Sequence, residues 1–302
     1  MRMIVADWGT SRFRGYLVEN ETILDRVSSD EGVSNLKPGE HRDVFLRQCG
    51  TWLEAEPDVP VLLVGMVGSR EGWVMAPYAV CPAGPAEIAR ALMPVELGGG
   101  RSAHIVPGLL CEPAPGAADV MRGEETLVLG AGVPDGLVCL PGTHPKYVLM
   151  REGRIERFAT YMTGEMYALL REQSMIGRPA TEPADPAGFD LGLAAAKRNS
   201  GESRVGLLHL LFGARAAVVS GRMNPNLLGP YLSGLLTGDE IEGALAQFGV
   251  PDRVTIVADA PRASLYVDAL GRRGIATAVT APEQALIAGL ARLISAMPGA
   301  RP

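Results

Sequence analysis

Asp7, Gly9, Thr10 and Ser11 stand between an apolar run, Ile4 to Ala6, and a second one from Phe13 to Val18. Such a turn has a phosphate-binding logic. The glycine lets backbone approach an anion, neighbouring amides and the two hydroxyls donate to phosphate oxygens, and the aspartate holds a magnesium ion through water. The same residues also make an ordinary turn closed by an aspartate side chain, so the pattern alone leaves both readings open. A second turn, Gly142-Thr143 with Lys146 after it, lies between Leu137 to Leu140 and Tyr147 to Met150. It shifts the balance toward phosphate, because two such turns suit one phosphate chain.

The elements that must position these turns read as α/β. Thr22 to Val27 completes a hairpin with the strand before it. Phe45, Cys49, Trp52 and Leu53 recur at helical spacing between Asp43 and Glu54, and Val61 to Gly65 reads as a buried strand. Pro85 to Leu92 follows as a short helix and Ile105-Val106 as a strand. The second half repeats strand, Gly-Thr turn, strand, with Ile155 to Phe158 completing it. Helices are then expected at Gly164 to Glu172, Leu191 to Asn199, Leu207 to Ser220, Asn226 to Leu236 and Glu240 to Phe248. Strands follow at Val254 to Val257 and Ala276 to Val279, and a helix at Pro282 to Ser295. The Gly/Pro-rich stretch Cys111 to Ala118 reads as a linker, which gives domains at 1–118 and 119–302.

Composition sets the outer bounds. A chain of 302 residues at roughly 150 per domain implies two domains. Hydrophobic residues at 47% and charged residues at 21% describe a folded globular protein. The net charge of −6 argues against general nucleic-acid or anionic-membrane binding, so any anionic ligand must be held locally. With 37 glycines and 23 prolines, many tight turns are expected. The four cysteines, Cys49, Cys81, Cys111 and Cys139, lie far apart and signal neither zinc nor a disulfide framework. The opening residues reach Asp7 before an apolar signal segment forms, and no run approaches the ~18 apolar residues of a membrane span. A cytoplasmic protein is expected.

Two facing Gly-Thr turns resemble the phosphate hairpins of the sugar kinase, actin and heat-shock ATPase superfamily. Closer words follow: Gly65-Met66-Val67-Gly68-Ser69 with Gly72-Trp73, Val106-Pro107-Gly108, Met121-Arg122-Gly123-Glu124-Glu125-Thr126, Pro141-Gly142-Thr143-His144 with Lys146, and Met162-Thr163-Gly164-Glu165. In this order they resemble the 2-dehydro-3-deoxygalactonokinase family. The resemblance implies a two-domain actin-like ATPase fold, ribonuclease H-like, with a nucleotide cleft between the domains. It implies ATP and Mg²⁺ as cofactors, and phosphorylation of 2-dehydro-3-deoxy-D-galactonate on its terminal hydroxyl in galactonate breakdown. Related kinases carry their base in a Gly-Asp-Gln-Gln segment, which Gly123-Glu124-Glu125 resembles. Glu124 is then the base, with Glu125 the alternative, although two acids also suit the first turn of a helix.

By the same resemblance Asp7 holds the metal, while Gly9, Thr10, Ser11, Gly142, Thr143, Lys146 and Ala258 contact the nucleotide. Arg14, Arg70 and Arg122 are candidates for the substrate carboxylate, which needs a fork-shaped cation. Trp8, Ser69 and Thr163, with Trp73, are expected at the sugar. Ala258 departs from the superfamily, which places glycine there, and Pro145 stiffens the second turn. A homodimer is among the expected assemblies, with a small sugar acid as the only other partner. Three other readings use the same residues: a kinase of another sugar acid or polyol, an acceptor-independent hydrolase, and a nucleotide switch.

Overall fold

The computed structural model describes residues 1–114, 116–199 and 205–297. β1 (Arg2–Trp8), β2 (Phe13–Glu19) and β3 (Thr22–Ser29) form an antiparallel meander. After the crossing helix α1 (His41–Ala55), β4 (Val61–Gly65) returns parallel to β1. Both strands are nearly continuous apolar runs, as strands covered on both faces require. β5 (Tyr78–Val80), α2 (Pro85–Arg90), β6 (Met93–Gly98) and β7 (Arg101–Ile105) follow, and the first sheet has the order β3-β2-β1-β4-β7-β6. The helix predicted from Phe45, Cys49, Trp52 and Leu53 is present, and those four residues are buried on this sheet.

The stretch Cys111–Ala118 is not a linker. β8 (Gly108–Ala114) and β9 (Ala117–Met121) pair as a hairpin through it, and β5 joins them in a three-stranded sheet. Pro115, within that stretch, lies outside the described residues. The hairpin delivers the chain to α3 (Glu124–Gly130), so its turn-rich composition serves to place the acidic pair. β10 (Gly136–Leu140), β11 (Lys146–Arg151) and β12 (Arg154–Thr160) come next. They are followed by α4 (Thr163–Gln173), α5 (Ala187–Arg198), α6 (Leu207–Val219) and α7 (Leu228–Phe248). α7 is one continuous helix where two were expected. Gly238 lies within it, where a Cβ would come 2.5 Å from the Ala196 Cβ, so it marks helix contact rather than a break.

β13 (Arg253–Val257), α8 (Ala260–Gly271), β14 (Ala276–Thr280) and α9 (Pro282–Ser295) complete the chain. The second sheet runs β12-β11-β10-β13-β14, the order that β3-β2-β1-β4-β7 has in the first. The repeated supersecondary unit read from the two Gly-Thr turns is therefore present in strand order. α8, β5 and β6 were not anticipated. β1 also extends through Asp7 and Trp8, which puts Asp7 in strand geometry with its side chain at the sheet end rather than in the turn itself.

Contacts divide the chain into two compact units. One holds Met1–Val138, Val148–Phe158 and Thr280–Pro302, and the other holds Cys139–Tyr147 and Ala159–Val279. In the first, α3 and α9 touch backbone to backbone. A Cβ on Gly130 would lie 1.7 Å from the Ala285 carbonyl oxygen, and one on Gly289 2.0 Å from that of Thr126. That glycine contact fixes where the acids at the start of α3 lie. In the second, α5 and α7 approach through Gly188, Gly192 and Gly234, around buried Leu228, Leu232 and Leu235. Among the described residues no helix is long and apolar enough to cross a membrane.

Candidate active site

Asp7 lies opposite Arg14 in the register of β1 and β2, and the guanidinium donates to its carboxylate at 3.0 Å. Burial pushes the Asp7 carboxyl up and the Arg14 charge opposes this. The carboxylate side chain keeps 29% of its surface accessible. Arg14 is thereby committed to Asp7 while half-exposed. In the turn beyond, the Gly9 N–H donates to the Arg12 carbonyl at 2.9 Å, and the Gly9 and Thr10 carbonyls accept from the Val33 and Ser34 amides. These bonds occupy the carbonyls of the turn and leave the Thr10 and Ser11 side chains exposed. Gly32 permits the arrangement, since a Cβ there would lie 2.2 Å from the Ser11 carbonyl carbon. Sequence reasoning passed over Gly32. Trp8 is fully buried, with its indole N–H donated to the Glu31 carbonyl at 2.8 Å and its ring edge-on to Phe13. The structure seats it in the core, not on a surface facing a sugar.

Two glycines bring the other motifs of the first unit to Asp7. Gly65 ends β4 at φ +92°, and a Cβ there would meet the Trp8 carbonyl oxygen at 2.9 Å and Asp7 Oδ1 at 3.7 Å. Gly123 precedes α3 at φ +104°, where a Cβ would lie 3.2 Å from the Gly65 Cα. Both backbones need the left-handed side of φ and the missing side chain. The words around Gly65 and Gly123 thus share one physical reason: the ends of β1 and β4 and the start of α3 converge.

The two acids of α3 are not equivalent. Glu125 is fully buried, accepts from the Gly123 amide at 2.7 Å and the Thr126 hydroxyl at 3.1 Å, and is pushed up to about 8 by burial and then by the Glu124 charge. Glu124 is partly exposed and accepts the Arg122 amide at 3.0 Å. Arg122 stacks on Tyr78, 4.5 Å from ring centroid, and donates one N–H to the Ala76 carbonyl at 2.9 Å. Its Nε and Nη1 are buried without an acceptor among the described residues. Unpaired buried donors are costly and rare. Ser69 is half-exposed and donates to Glu71 at 3.3 Å, Arg70 is exposed, and Trp73 packs on the first core.

In the second unit, the Gly142-Thr143 turn is braced by α4. A Cβ on Gly164 would meet the Gly142 carbonyl oxygen and the Thr143 Cα, each at 2.7 Å, and the Glu165 amide donates to the Thr143 carbonyl at 3.1 Å. His144 pairs with the Glu165 carboxylate. The buried Pro145 carbonyl accepts the Tyr161 amide at 2.8 Å, which gives that proline a place in the turn. Lys146 is 5% exposed and donates back to the His144 carbonyl at 3.1 Å, so it supports the turn from below. Thr143 is exposed, Thr163 is half-buried at the start of α4, and Ala258 is buried at the end of β13. Among the described residues, no three His, Cys, Asp or Glu side chains gather as metal ligands.

The model of the 2-keto-3-deoxy-galactonokinase family matches residues 7–293, from Asp7 through nearly all of α9. The chain belongs to that family. It is 33% identical over 303 residues to a 2-dehydro-3-deoxygalactonokinase of Escherichia coli K12, covering 98% of each chain. It is 34% identical to a "Probable 2-dehydro-3-deoxygalactonokinase" of Rhizobium meliloti, covering 94% of each. A crystal structure from Sinorhizobium meliloti, of a protein assigned as a 2-dehydro-3-deoxygalactonokinase, superposes with a TM-score of 0.85 at 31% identity, covering 97% of this chain and 98% of that one. The motifs quoted from the sequence therefore point to the 2-keto-3-deoxy-galactonokinase family as expected, and the α/β fold is shared with the Sinorhizobium meliloti structure.

Proposed function

We propose that the protein transfers the terminal phosphoryl group of ATP to the terminal hydroxyl of 2-dehydro-3-deoxy-D-galactonate, giving the 6-phosphate, in the cytoplasm. The observation that carries the reading is the full-length family match, which includes both Gly-Thr turns and the acidic pair. Phosphoryl transfer needs positioning and charge neutralisation more than covalent help. The exposed hydroxyls of Thr10 and Ser11, and the braced turn at Gly142-Thr143, are suited to donate to phosphate oxygens. Mg²⁺, when bound, neutralises phosphate charge. Its donor set here would be the accessible Asp7 carboxylate together with the phosphates, which fits an ion that uses few protein ligands. Arg14 holds that carboxylate in place.

Glu124 is the base in this reading. Its carboxylate is reachable, whereas Glu125 is buried, held near neutrality and spent on the Gly123 amide. Arg122 takes the substrate carboxylate in this reading, because two of its guanidinium nitrogens have no acceptor among the described residues. The test compares acceptor-dependent ADP formation in Glu124→Gln and Glu125→Gln. Removing a base costs roughly 10²- to 10⁴-fold, and Glu124→Gln should fall by that much while its nucleotide affinity stays near wild type. Near-wild-type turnover in Glu124→Gln with an inactive, folded Glu125→Gln would move the role to Glu125.

A further inference from the structure

Glu240 is a buried acid that the proposed chemistry does not use. It lies on α7 and is 3% exposed. The Tyr147 hydroxyl donates to one carboxylate oxygen at 3.0 Å and the Tyr266 hydroxyl to the other at 3.2 Å. The Thr163 hydroxyl donates to it as well. An acid held only by neutral hydroxyls is an expensive group to bury, and an apolar residue would fill the space more cheaply. The meaning lies in what the three donors belong to.

Tyr147 directly follows Lys146, where the second Gly-Thr turn enters β11. Thr163 is the first residue of α4 and adjoins Gly164, the glycine pressed against Gly142 and Thr143. Tyr266 is on α8, the helix that follows Ala258. One carboxylate thus ties the strand leaving the turn, the helix seated on the turn and the helix after the expected adenosine contact. We propose that Glu240 is a positioning residue for nucleotide binding, acting through Thr163, Tyr147 and Tyr266 to fix the Gly142-Thr143 turn. This rests on the reading that the turn meets nucleotide phosphate. Burial pushes Glu240 up to about 7, and the hydrogen bonds from the three side chains pull the other way.

The test is kinetics and ADP calorimetry on Glu240→Gln, Tyr266→Phe and Thr143→Ala. Glutamine keeps only one acceptor oxygen for the two tyrosine hydroxyls, so Glu240→Gln should raise the KM for ATP and the Kd for ADP about tenfold. The KM for the sugar acid should stay within about twofold, a split that a purely structural loss would not produce. Tyr266→Phe, which keeps the fold if Glu240→Gln does not, should show the same split at smaller size. Parallel changes in both KM values, or a lowered Tm with neither KM changed, would overturn the proposal. If Thr143→Ala weakens ADP binding and Glu240→Gln does not, the positioning role alone falls. If neither variant weakens it, the reading of the turn falls too.

Discussion

Arg122 is the side chain proposed to meet the substrate carboxylate. Its ring contact with Tyr78 and its bond to the Ala76 carbonyl fix the guanidinium, and Nε and Nη1 have no acceptor among the described residues. A lysine has no planar guanidinium to stack on the ring and hold several donors in fixed directions. Arg122→Lys should therefore raise the KM for the sugar acid tenfold or more with the KM for ATP unchanged, and an unchanged sugar KM would make those N–H groups part of the fold only. At this scale the sequence was legible where a motif word carried residue type and order, as in Met121 to Thr126. It was opaque where burial decides the role. Trp8 and Lys146 sit in quoted motifs, yet the first is core and the second folds back on its own turn. Likewise nothing in the string Glu124-Glu125 reveals that one acid is buried and the other partly exposed, because packing by segments distant in sequence decides burial.

At the scale of elements, glycines set the positions. Gly164→Ala would place a Cβ 2.7 Å from two backbone atoms of the second turn, so α4 or the turn must move. The expected outcome is a several-fold rise in the KM for ATP. Gly213→Ala in α6, where nothing lies within 4 Å of the added Cβ, should instead raise Tm, since alanine is better in a helix by about 1 kcal/mol. Equal effects of the two substitutions would remove the steric argument. Apolar patterning revealed α1, which buries one face, and β1 and β4, which are buried on both. It missed the hairpin of β8 and β9, whose Gly/Pro content resembles a linker, and it split α7, whose glycines serve contact with α5. Turn residues report local backbone freedom and cannot say whether a strand partner is waiting.

Among the described residues burial raises three carboxyls, Asp7, Glu125 to about 8 and Glu240 to about 7, the two glutamates from an ordinary value of 4.5. Between 4.5 and those values the folded state holds protons that the unfolded chain releases, so their contribution to stability is full at low pH and is lost as pH rises through the folded pKa. Tm should fall between about pH 5 and pH 8 and flatten above. Glu125→Gln should make that slope shallower, and parallel slopes for the two proteins would show that Glu125 titrates normally. Neither charge state is visible in composition, since net charge counts both as ordinary acids. The decisive measurement is ADP formation with ATP and Mg²⁺ in the presence of 2-dehydro-3-deoxy-D-galactonate, of its gluconate-derived epimer, and of no acceptor. The account predicts acceptor-dependent ADP formation, fastest with the galactonate-derived acid, and a phosphorylated sugar acid in equal amount. ADP and inorganic phosphate released at the same rate without any acceptor would contradict it.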